Sequence, residues 1–251
     1  MDMEDDLKNL KFYPIKDIDY DRFQIKLDCH GKDLSDNQRV AAVNEIEEAL
    51  TLCKNGLDLF YNQLSCYSKT ARNSNLIAAT RIILSVGLFT TQTMMDCLVA
   101  SKLFLLASTD YDRRFMRGKL HVILNEGFKK LYGFNAKSFK KSEWEKLGDY
   151  VRMDSFFFPQ KIKEQYKEIS ELLEKQARID TWWRNERNCE THLDTLGLYK
   201  SRSEVLIEKK VILDSIPLLN ALWVVERFLE NVNGHITNIM IGYYKMGMLN
   251  K

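Results

Sequence analysis

From residue 40 to residue 64 apolar side chains return every three or four positions, at Val40, Val43, Ile46, Leu50, Cys53, Leu57, Phe60 and Leu64. A face sustained for about seven turns is the buried side of one long helix, for which Ser35 or Asp36 is a natural N-cap. Only 3 prolines and 11 glycines interrupt 251 residues, so the rest of the chain is also expected to form long helices. The pattern predicts helices over about 74–107, 110–132, 144–151 and 159–183. In the third of the predicted helices Leu120, Ile123, Leu124, Phe128 and Leu131 face inward, and Arg113, Arg114, Arg117, Lys129 and Lys130 are expected outside. Gly133 suits its C-cap. In the helix after Pro159 the inner face is Ile162, Tyr166, Ile169, Leu173 and Ala177. A last helix is expected to start at Ser215-Ile216-Pro217, where proline fits the first turn, and to run to about Lys245.

Residues 1–34 read differently. Phe23, Ile25, Leu27 and Cys29 alternate with Gln24, Lys26 and Asp28, a period of two that predicts a short strand. A second β-like run at 205–213 could pair with it. The expected fold is therefore all-α: an elongated antiparallel helical bundle over 35–251, preceded by an N-terminal extension (1–34) carrying a minor β element.

Residues 82–95 carry no charge, which raises the question of a membrane span. The run falls short of the roughly 20 apolar residues a bilayer requires, so a buried central helix is expected and no membrane partner. A formal charge of +2 argues against a protein that coats nucleic acid by charge alone. The five cysteines are odd in number, widely spaced and without a Cys-x-x-Cys pair, which argues against a zinc site or a disulfide framework. The acidic opening Met1-Asp2-Met3-Glu4-Asp5-Asp6 is unlike a signal peptide, and a cytoplasmic protein is expected. The scattered histidines and the lack of a phosphate-cradling glycine loop give no sign of a metal or another cofactor.

Chemistry is suggested most clearly by Arg187-Asn188-Cys189-Glu190-Thr191-His192, preceded by Trp182, Trp183 and Arg184. An imidazole exchanges protons near neutral pH, and a guanidinium beside it can hold charge developing on phosphate oxygens. Asn188 stands four residues before His192, on the same helical face, where its amide could orient the imidazole. Spacing alone does not decide the matter, since Arg114 and His121 stand in a comparable relation. The bland alternative pairs Arg187 with Glu186 or Glu190 at a helix end, with His192 as a capping residue. The tryptophans suit core or interface anchors as well as base-stacking platforms.

With Arg187-Asn188, four intervening positions and His192, followed by Leu193-Asp194, the chain resembles the HEPN superfamily, whose mark is an arginine, four to six residues and a histidine. The stretch from Asn125 to Gly133 is similar too. The resemblance implies a metal-independent endoribonuclease working as a homodimer, as in toxins and phage-defence effectors, with RNA as substrate and an antitoxin or regulatory protein as a further partner. It assigns catalysis to Arg187, His192 and Asn188, with 2′-hydroxyl attack and a 2′,3′-cyclic phosphate product. The alternative is a catalytically silent helical protein that binds a protein partner, RNA or nucleotide through the same groove.

Overall fold

The computed structural model describes residues 15–23, 33–68, 75–132, 142–153, 158–178 and 208–245. Within them the fold is all-α: α1 (Asp36–Ser68), α2 (Asn75–Leu106), α3 (Asp110–Leu131), α4 (Glu143–Met153), α5 (Gln160–Arg178) and α6 (Glu208–Lys245). No strand occurs among the described residues, and residues 24–29 of the expected strand lie outside them.

Local chemistry starts and stops these helices. Ser35 caps α1 through a reciprocal box: its hydroxyl accepts the Gln38 N–H at 3.3 Å, and the Gln38 amide oxygen accepts the Ser35 N–H at 3.0 Å. Thr109 does the same work for α3, accepting the Asp112 N–H at 3.1 Å, and Ser142 accepts the Glu145 N–H ahead of α4 at 3.2 Å. Tyr132 ends α3 with its N–H on the Phe128 carbonyl. Gly133, the expected cap, lies outside the described residues.

α2 is the central element, in contact with α1, α3, α4 and α6. The span Ile77–Leu106 is long and apolar enough to cross a membrane by length and composition, yet much of it is covered by those neighbours. Lys102 pairs with Glu47 near one end of α1, and Gly87 abuts Phe60 near the other, so α1 and α2 run antiparallel. α3 returns along α2: Lys130 sits over the Phe89 ring at 4.4 Å, and a side chain at Gly127 would collide with Thr93. α6 runs parallel to α1, tied by Leu34–Glu208 at one end and Gln63–Asn233 at the other. Ile83, Leu84, Met94, Leu98, Phe104, Leu120, Leu124 and Phe228 fill the shared core.

Residues 15–23 form a strap across α5 and α6. Asn231 clips Lys16 at two points, accepting its N–H and donating to its carbonyl, and Asn220 clips Phe23 in the same way. Each amide satisfies a backbone donor and acceptor together, as a neighbouring strand would. Phe23 then packs edge-on against Trp223.

Three expectations need correction. Residues 208–213 are helical rather than β-like, because α6 begins at Glu208 and contains Pro217 within its length. Apolar residues two apart suggested a strand, but the buried set Glu208, Lys209, Val211, Ile212 and Ser215 follows helical spacing. The N–H that proline lacks would have served the Leu213 carbonyl, and Leu213 is half exposed, so water can take that carbonyl's bond. Arg117 is buried, and Arg113 is drawn inward onto Glu208, whereas Lys129 and Lys130 do stay exposed. Val40, placed on the inner face of α1, is exposed.

Candidate functional site

Arg187, Asn188 and His192 lie outside the described residues, as do Trp182, Trp183 and Arg184. The rival arginine–histidine pair, Arg114 and His121, is described. His121 is fully buried on α3, four residues after buried Arg117 and four before buried Asn125, so the three form one polar row inside the protein. A histidine closed off in this way is structural and cannot meet a polymeric substrate. Gly127 serves the close approach of α2 and α3.

Two charged clusters stand out instead. The first joins the starts of α1, α3 and α6. The Glu208 carboxylate, 1% exposed, takes Arg39 at 2.8 Å, Arg113 at 3.3 Å and the Leu34 N–H at 3.1 Å. Arg39 also donates to the Leu105 carbonyl, and Arg113 to the Ala107 carbonyl. Both guanidiniums border a cavity of about 500 Å³ rimmed by Val40 and Leu106. With Asp36 on the same wall and Asp110 against Arg113, the cluster is close to charge-balanced and is a clamp rather than an anion trap.

The second cluster lies where α6 meets α1. Glu226 is fully buried, and its Oε2 pairs with Arg227, whose Nε donates at 2.8 Å. Arg227 Nη1 donates to Glu230 at 2.8 Å, and the guanidinium lies over the Trp223 ring at 4.3 Å. Glu226 Oε1 has no hydrogen-bond partner among the described residues; the Thr91 hydroxyl sits beside the carboxyl without the geometry of a bond. Burial pushes the Glu226 carboxyl up to about 7, against the attraction of Arg227 and with help from Glu230. Burial raises Glu230 as well, opposed by Arg227 and Lys16. Cys53, on the facing side of α1, is raised to about 12 by burial and by Glu226.

A cleft of about 340 Å³ runs alongside, lined by Leu52, Asn55, Gly56 and Leu59 of α1, Lys16 of the strap, and Arg227, Glu230 and His235 of α6. The sequence reading did not single out this cluster. Its only trace there is one Glu-Arg pair set inside the apolar run Trp223-Val224-Val225 and Phe228-Leu229. No group of three or more metal-ligating side chains occurs among the described residues.

No protein-family model, curated protein or solved structure matches this chain.

Proposed function

We propose that this protein is a metal-independent endoribonuclease of the HEPN kind, acting in the cytoplasm as a homodimer, with catalysis by Arg187, His192 and Asn188. The observation that carries the reading is the Arg187-Asn188…His192 hexapeptide. The all-α fold agrees with it, and the burial of His121 removes the competing arginine–histidine pair. The elongated antiparallel bundle and the short N-terminal β element belong to the same reading.

In this mechanism His192 withdraws the proton of a ribose 2′-hydroxyl. The oxygen attacks the adjacent phosphorus in line, forms the 2′,3′-cyclic phosphate and expels the 5′-oxygen. The second protomer's histidine returns a proton to that leaving group across a two-fold axis. Arg187 holds the phosphate and stabilises the charge gained in the transition state, while Asn188 orients the imidazole or the phosphate. A role as a toxin or phage-defence effector, held in check by an antitoxin or regulatory protein, follows from the same resemblance.

The test is cleavage of a mixed RNA pool by the wild type, His192→Ala and Arg187→Ala. Each substitution is expected to lower the rate by about a hundredfold or more, with helical content unchanged. Intact RNA with well-folded wild type, or undiminished cleavage by both variants, would leave a helical binding protein instead.

A further inference from the structure

We propose that the contact between Glu226 and Gly56 is a proton-operated latch: protonated Glu226 holds α1 against α6, and ionised Glu226 loosens the contact and widens the cleft beside it. The inference does not depend on the nuclease reading.

The latch rests on geometry. A Cβ placed on Gly56 would stand 2.5 Å from Glu226 Oε1 and 3.3 Å from Glu230 Oε1, so a larger residue there would oblige the Glu226 carboxyl to shift. Oε1 of Glu226 therefore lies against bare helix backbone, out of reach of water and without a hydrogen-bond partner of its own among the described residues, the neutral Thr91 hydroxyl beside the carboxyl being a small influence toward the charged form. Such a position suits a protonated oxygen and penalises an anion.

The surrounding charges do not rescue the anion. From α6, Arg227 is the one cation paired with Glu226 among the described residues, and it is shared with Glu230. One guanidinium is divided between two carboxylates, and the second cation, Lys16, acts on Glu230 rather than on Glu226. From α1 the titratable neighbour is Cys53, which would add negative charge if it ionised. From α2 the neighbour is Thr91, whose hydroxyl favours the charged carboxyl slightly but brings no compensating charge. Lys16 of the strap acts on Glu230, and His235 lines the cleft farther along α6.

Ionisation is relieved when α1 yields enough for water to reach Oε1. Gly56 is itself part of the cleft wall, together with Leu52, Asn55 and Leu59 of α1, so that movement enlarges the opening. The direction with pH follows from the raised value of about 7 against an ordinary 4.5. The native state binds the proton more tightly than the unfolded chain does. Stability from this group is thus full below the unfolded value, declines as pH rises between the two, and is gone above the native one.

The test compares urea unfolding of the wild type and Glu226→Gln from about pH 5 to about pH 8.5. The wild-type midpoint is expected to fall relative to the variant's up to about pH 7 and then run parallel to it. Amide exchange over residues 52–59, corrected for its intrinsic pH dependence, is expected to accelerate across the same range in the wild type alone. Curves parallel throughout, or exchange that rises equally in both proteins, would overturn the proposal. Should the variant not fold, carboxyl carbon NMR of the wild type decides: one glutamate is expected to titrate near pH 7, and titration of every glutamate below about pH 5.5 would overturn the proposal.

Discussion

Trp144→Ala is expected to destabilise the protein by about 3–5 kcal/mol, the range for emptying a buried aromatic site. Trp144 is 1% exposed and joins three helices. Its ring stacks on Tyr166 of α5 at 4.7 Å with an interplanar angle of 13°, and meets Phe228 of α6 at 5.6 Å. Its indole N–H donates to the Ser170 hydroxyl at 2.9 Å, and its own carbonyl accepts the Tyr166 hydroxyl at 3.1 Å. Gly148, one turn on, leaves room for the Tyr166 ring. Truncation therefore opens a cavity and leaves the Ser170 hydroxyl without its donor. Trp144→Phe keeps most of the apolar contact and should cost much less, with about 1 kcal/mol for the lost indole hydrogen bond. Urea unfolding measures both; a change under about 1 kcal/mol for the alanine variant would mean that α4 does not anchor α5 and α6 as described.

Glu208→Ala is expected to cost about 3 kcal/mol, toward the lower end for removing one member of a buried ion pair because Arg39 and Arg113 reach some solvent. Their side chains are 19% and 21% exposed. The loss also frees the Leu34 N–H, just before the start of α1. Arg39→Ala alone should do less, since Arg113 still answers the carboxylate, and Arg39→Ala in the Glu208→Ala background should add little. Additive costs in that cycle would show that the three side chains do not act as a unit.

Most of the helical architecture was legible in the sequence. Breakers are scarce, and the apolar residues of α1, α3 and α5 keep helical spacing, so helix existence could be read directly. The sequence was misleading where two periods overlap. In 205–213 apolar residues two apart imitate a strand, and Pro217 looks like a first-turn residue although it lies inside α6. Burial of charge was the other gap. Arg113 and Arg117 look like solvated residues until the arrangement of helices is known, because a partner such as Glu208 for Arg113 lies far away in sequence. Of the candidate catalytic residues, the sequence supplies the identities and the spacing, while all three lie outside the described residues.

The proposed cleavage of RNA by Arg187 and His192 proceeds through the substrate's own 2′-hydroxyl. The most direct measurement is the chemistry of the ends produced by the wild type in excess chelator. Fragments bearing 2′,3′-cyclic phosphate and 5′-hydroxyl ends are the expected result. Fragments with 3′-hydroxyl and 5′-phosphate ends, or no cleavage by the folded protein on any RNA supplied, would contradict it.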